Sequence, residues 1–227
     1  MAKTDIKEIL KFFLPNTKLN KSLRILIATN TIMVFVVGML APFYAVFVQE
    51  IGGGIAFAGF SWALFSIVAG VLIFLFSQWQ MKVKEQELLL ALGYFIRGAV
   101  FLSYAFMGGV TQLIFTQILW GIGVALGTPA FDSIYSMHTN KTDSIVQWGQ
   151  WEGIAAIATG VAAIVGGILI QIAGYFFVFI CAPESFFPIG YTITIRIILN
   201  QTYNSLIFYF ESRIFFFISC NEIFSRG

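Results

Sequence analysis

The sequence predicts an all-α integral membrane protein with five clear transmembrane helices and a degenerate sixth. Three observations point to this class. Hydrophobic residues make up 59% of the 227-residue chain and charged residues only 11%, whereas a soluble domain carries about 25% charged residues. The apolar residues gather into runs long enough to cross a bilayer, which takes about 20 residues. Lysine and arginine fall on alternate connections between those runs. The net charge of +2 is not concentrated on a groove or helix face, so nothing points to nucleic acid. Cys181 and Cys220 form no metal spacing and no disulfide framework.

Residues 1–22 form an N-terminal arm. Ile6, Ile9, Leu10, Phe13 and Leu14 recur at helical spacing among Lys3, Asp5, Lys7, Glu8 and Lys11, and Pro15 ends the pattern. Two readings stay open, an amphipathic helix on the membrane surface and a solvated arm. The apolar run that follows is too long for a signal peptide and has no small-residue cleavage site. The predicted spans are Leu23–Val48, Phe57–Ser77, Leu88–Met107, a fourth within Thr111–Tyr135, and Ile154–Ala173.

Charge sets the expected orientation. Lys3, Lys7, Lys11, Lys18, Lys21 and Arg24 precede the first span or lie at its start. Lys82 and Lys84 sit between the second and third, and Lys141 between the fourth and fifth. The connections around Gly53, Gly109 and Gly174 have none. Cationic connections stay cytoplasmic, so the N-terminus is expected inside, in a multi-pass arrangement within the lipid bilayer.

The stretch Gln112–Glu152 organises the chain. Gly121, Gly123 and Gly127 lie on the fourth span with Pro129 near its end. A polar loop with the single histidine, His138, follows, and Trp148 and Trp151 open the next run. Small residues four apart let helix backbones approach closely. The two tryptophans read as interface anchors. Pro42 near the end of the first span and Pro129 near the end of the fourth suggest a three-helix unit repeated with inverted direction, a device of secondary transporters.

Leu113-x-x-x-Gln117-x-x-Trp120-Gly121-x-Gly123 resembles the fourth-helix motif of the major facilitator superfamily, in which an arginine stands at the Gln117 position. The run Leu88-Leu89-Leu90-Ala91-Leu92-Gly93 follows the loop where that family has Gly-x-x-x-Asp-Arg-x-Gly-Arg. Lys84 matches there, and Gln80 stands at the aspartate position. Ala162-Ala163-x-x-Gly166-Gly167 keeps the closing glycines of the family's fifth-helix antiporter motif without its Gly-Pro. The resemblance covers roughly residues 23–180, the N-terminal six-helix half of such a transporter. It implies a half bundle of 3+3 inverted helix repeats in the plasma or inner membrane. It also implies secondary active transport of a small solute by alternating access, with an ion gradient as one available driving force. The rest of the site would come from a C-terminal half or from a second copy.

Residues 181–227 depart from this pattern. A sixth span begins at Tyr175, but Ala182-Pro183-Glu184-Ser185-Phe186-Phe187-Pro188 interrupts it. The remainder is rich in Phe, Ile, Tyr, Asn and Ser and contains no lysine or tryptophan. The composition suggests an out-of-frame or degenerate tail, which would make the chain a truncated transporter. The alternatives are a divergent six-helix protein working as a homodimer and a non-transporting membrane scaffold.

Candidate functional residues are the polar groups in apolar surroundings. Arg97 lies about 13 Å into its span, where charge is costly and faces protein or a water-filled cavity. A structural ion pair, a snorkelling arginine and a substrate contact all stay open for it. Gln117, Trp120 and Asn30 are candidates for a substrate pathway, because the resemblance places the fourth helix beside a central cavity. A hydrogen bond to a neighbouring helix is the plainer role for Gln117 and Asn30. Asp132 and Glu152 flank the fourth–fifth loop as candidates for a cytoplasmic gate, or as solvated helix-end charges. The glycine string of the fourth span lies inside an apolar run and follows no strand, which excludes a dinucleotide fingerprint. No histidine pair suggests a metal, and no nucleophile–base set suggests an enzyme or a cofactor. No charged cluster names an anionic or cationic solute.

Overall fold

The structure, a computed structural model, describes residues 19–181. The arm as far as residue 18 and the tail from residue 182 lie outside the described residues. All the secondary structure described is helical. Helix α1 spans Lys21–Leu40 and passes through a 3-10 turn at Ala41–Phe43 into α2, Tyr44–Glu50. Then come α3 (Ile55–Gln80), α4 (Gln86–Tyr104), α5 (Val110–His138) and α6 (Ser144–Cys181). Counting α1 and α2 as one, five helices are long and apolar enough to cross a membrane. The end that holds Lys21, Gln80, His138 and Ser144 is the near end below, and the other is the far end.

The helix ends follow local chemistry. Asn20 caps α1, its Oδ1 accepting from the Leu23 amide at 2.8 Å, which satisfies one of the free N–H groups of the first turn. Its Nδ2 donates to the His138 carbonyl at 2.7 Å, tying the start of α1 to the end of α5. The first span is interrupted where Pro42 supplies no N–H and the backbone tightens to the 3-10 turn. Pro129 lies inside α5, where it leaves the Ala125 carbonyl without its amide. Gln80 of α3 fills that gap, donating from Nε2 to the Ala125 oxygen at 2.9 Å. The residue at the motif's aspartate position is therefore buried on a neighbouring helix.

Helix α6 begins well before the expected fifth span, at Ser144. Trp148 packs on Tyr135 at 4.5 Å and Trp151 on Phe131 at 5.0 Å. Trp151 is buried against α5 and does not serve as the interface anchor expected of it. At Gly174 the backbone leaves helical geometry, with φ 75° and ψ 175°, a combination open essentially to glycine alone. The chain then turns back into the bundle. Phe179 inserts among Phe47, Tyr104 and Phe101, its ring 4.9 Å from Phe47 and 5.4 Å from Tyr104. The described residues end at Cys181, so the remainder of the expected sixth span lies outside them.

The helices form a repeat. Val110 of α5 lies 89 residues after Lys21 of α1, Ser144 of α6 lies 89 after Ile55 of α3, and Tyr175 lies 89 after Gln86 of α4. The packing repeats too. The first span lies on α6, and its equivalent α5 lies on α3, the equivalent of α6, while α4 fills the space against α5. Three crossings lie between the start of α1 and the start of α5, so α5 and α6 run opposite to α1 and α3, as expected of an inverted repeat. Small residues make the contacts close. A Cβ at Gly93 of α4 would lie 2.7 Å from the Gly127 Cα, and one at Gly166 of α6 2.7 Å from the Met39 Cα. Outward faces stay apolar, with Phe74 83% and Ile157 70% exposed, as suits lipid.

Candidate polar sites inside the bundle

Two polar clusters sit where helices α1 to α5 meet. Toward the far end, Gln117 of α5 is buried and donates from Nε2 to the Tyr44 hydroxyl at 2.6 Å and to the Tyr104 hydroxyl at 3.3 Å. The Tyr44 and Ser61 hydroxyls are 2.8 Å apart. Ser61 gives its own proton to the Ala58 carbonyl at 3.0 Å, so Tyr44 is the donor to Ser61. A directed chain therefore runs from Gln117 through Tyr44 and Ser61 to the backbone of α3, linking the first, second and fourth spans, with Tyr104 adding the third. Every member is neutral. Both amide hydrogens of Gln117 are engaged, so a solute that accepts from them would replace a tyrosine. Trp120, one turn along, packs against Phe101 with ring centres 5.3 Å apart and is buried.

Closer to the near end, Asn30 of α1 is half-buried and accepts the Tyr94 hydroxyl proton at 2.7 Å. Arg97 stands one turn from Tyr94 on the buried face of α4 and is 8% exposed. Its Nη2 donates to the Gly123 carbonyl at 3.2 Å and to the Thr128 hydroxyl at 3.3 Å. Its Nε has no hydrogen-bond partner. Among the described residues, the groups that hold Arg97 are neutral. The glycines of α5 provide its seat. A Cβ at Gly123 would lie 3.0 Å from Arg97 Cγ, and one at Gly127 2.8 Å from Nη2.

Asp132 and Glu152 lie toward the near end of α5 and α6, and both are exposed. They are close enough for their charges to interact. Beside them the Tyr135 hydroxyl donates to the Gln147 carbonyl at 2.6 Å, and the Asn140 amide donates to Gln147 Oε1 at 2.9 Å. This closes the α5–α6 connection tightly. Among the described residues no group of histidine, cysteine, aspartate and glutamate could hold a metal.

The structure brings Asn30 and Arg97 into one neighbourhood through Tyr94, and Gln117 into another with Tyr44, Ser61 and Tyr104. Sequence reasoning missed the tyrosines. Hydropathy counts them as apolar, yet each buried hydroxyl needs a partner, and that requirement is the signal that would have marked them.

The fold and its polar interior define a multi-pass helical membrane protein. The chain is similar to an uncharacterized MFS-type transporter of Methanocaldococcus jannaschii, with 26% identity over 162 residues, covering 69% of this chain and 40% of that protein. The chain therefore matches well under half of that relative's length. No protein-family model matches the chain, and no solved structure matches it.

Proposed function

We propose that this chain is part of a secondary transporter of the major facilitator type that moves a small solute by alternating access. The observation that carries the reading is the three-helix unit that recurs 89 residues on, at Val110 after Lys21, with opposite direction. Inverted repeats with polar groups inside the bundle are the architecture of carriers that rock about a fixed site. The likeness to an MFS-type transporter supports it. Residues 23–180 would form one half of the carrier, with residues 1–22 as a cytoplasmic arm and residues 181–227 as an aberrant tail. Asn30, Arg97, Gln117 and Trp120 would border the pathway from one side. Asp132 and Glu152 would act at a cytoplasmic gate, held by basic groups in one state and released in the other. The protein would sit in the plasma or inner membrane as a carrier and not an enzyme. A second six-helix unit would complete the site.

The test is uptake into proteoliposomes. Labelled amino acids, sugars, small acids and amines are offered with and without an imposed proton or sodium gradient. Accumulation above empty vesicles that follows the gradient is the expected result. The reading fails if no solute accumulates and single cysteines at positions 30 and 117 also label identically under every condition, since alternating access requires their exposure to change.

A further inference from the structure

We propose that Arg97 is an anion seat, and that the solute it receives carries a carboxylate or phosphate group. The inference rests on the transport reading and adds the substrate's chemical class to it.

The first argument is electrostatic. Even after relaxation, taking an ion out of water costs several kcal/mol, and buried charges are paired or hydrogen-bonded throughout. Arg97 is 8% exposed, yet the groups that answer it are a carbonyl at 3.2 Å and a hydroxyl at 3.3 Å, both neutral and both on Nη2. Its Nε is buried with no hydrogen-bond partner. A guanidinium presents a planar fork of donors that fits two oxygens of one carboxylate or phosphate. Here part of that fork is unfilled.

The second argument is steric. Gly123 and Gly127 leave open the volume that the side chain uses. A Cβ at Gly127 would approach Nη2 to 2.8 Å and one at Gly123 would approach Cγ to 3.0 Å. The arginine is therefore held inward across α5, although a long side chain in a span would otherwise reach for the interface. Beside it, the Tyr94–Asn30 pair at 2.7 Å supplies a neutral polar wall. Asp132 lies one turn beyond Thr128 on α5 but is exposed, and Asp132→Asn checks it as a rival counter-ion.

The experiment uses the full chain purified in detergent, with its unfolding midpoint followed by tryptophan fluorescence. The probes are inorganic phosphate, succinate and acetate, compared with chloride at equal ionic strength and with glycerol. At least one oxyanion is expected to raise the midpoint saturably, by roughly 5–10 °C at a hundredfold excess over its Kd. Arg97→Gln should abolish the rise. Arg97→Lys, which keeps the charge but loses the fork, should weaken the affinity about tenfold or more. Gly127→Ala keeps the arginine and displaces Nη2, so it should weaken binding even where Arg97→Gln folds poorly.

An equal rise in Arg97→Gln, an unchanged affinity in Gly127→Ala, or no oxyanion effect beyond chloride would each overturn the proposal. So would a finding that Asp132→Asn lowers the midpoint as far as Arg97→Gln while the double variant lowers it no further. That pattern makes Asp132 the counter-ion. Oxyanion binding without uptake in proteoliposomes would leave the seat standing and remove the transport reading. Gradient-driven uptake that Arg97→Gln leaves intact would do the reverse.

Discussion

Gln80 shows how one side chain can repair a fault in another helix. Pro129 removes the amide that would pair with the Ala125 carbonyl, and Gln80 Nε2 takes its place at 2.9 Å. Gln80→Leu should leave that oxygen buried and unpaired, at a cost of about 1–3 kcal/mol. In a Pro129→Ala background the amide at position 129 pairs with Ala125, so the same substitution should cost far less. A double-mutant cycle on unfolding midpoints in detergent measures the difference. Additive effects would show that Gln80 acts through something other than this carbonyl. The sequence marks Gln80 only by its place in a loop motif, because the partner is 45 residues away. The same distance problem hid the other pairs. Asn30, Arg97 and Gln117 stand out as polar groups in apolar runs, but Tyr94 meets Asn30 across 64 residues and Tyr44 meets Gln117 across 73. No local pattern carries such pairings, and the tyrosine rings pass as apolar in any hydropathy reading.

At the scale of helices, what hydropathy could see was the length and number of the spans, and five of them stand where the apolar runs lie. Their ends were less legible. The start of α6 at Ser144 depends on Trp148 and Trp151 finding Tyr135 and Phe131 on α5, a tertiary choice that overrides the polar local composition. Glycine was legible as a packing residue but not which glycines pack. A Cβ added at Gly93 would lie 2.7 Å from the Gly127 Cα, whereas nothing lies within 4 Å of one added at Gly70. Gly93→Ala must therefore push α4 from α5 and should destabilise by about 1–3 kcal/mol, the usual range for overpacking. Gly70→Ala fills lipid-facing space and should stabilise α3 by up to about 1 kcal/mol, since glycine is the poorer helix former. Thermal midpoints of the two variants should move in opposite directions. Gly174 makes a separate point, because its strain is in the backbone. Although a Cβ there meets nothing within 4 Å, φ is +75°, so Gly174→Ala should cost about 1–3 kcal/mol. It should also loosen Phe179 from Phe47 and Tyr104, read as greater cysteine accessibility at position 179.

For the molecule as a whole, the charge pattern bears on one question, which way the bundle faces. The near end carries Lys82 and Lys84 before α4 and Lys141 before α6, together with Lys21 and Arg24 at the start of α1. The far-end connections at residues 51–54 and 105–109 carry no lysine or arginine. Charge bias of this kind sets orientation when it is counted over short connections, and both near-end connections are short. Turning the bundle over would carry all of these lysines and Arg24 to the outer side, so the bias opposes that orientation. The near end is therefore expected in the cytoplasm. Two single-cysteine forms test this in a background with Cys181 and Cys220 changed to serine. Gly109→Cys lies at the far end, where φ of 175° is open to any residue, and Lys141→Cys lies at the near end. A membrane-impermeant maleimide should label position 109 in intact cells and position 141 only after permeabilisation. The opposite pattern would place Asp132 and Glu152 on the outer side and end their role at a cytoplasmic gate. Labelling of both positions in intact cells would mean that the chain takes up two orientations, as expected if the lysine bias alone is too weak to choose.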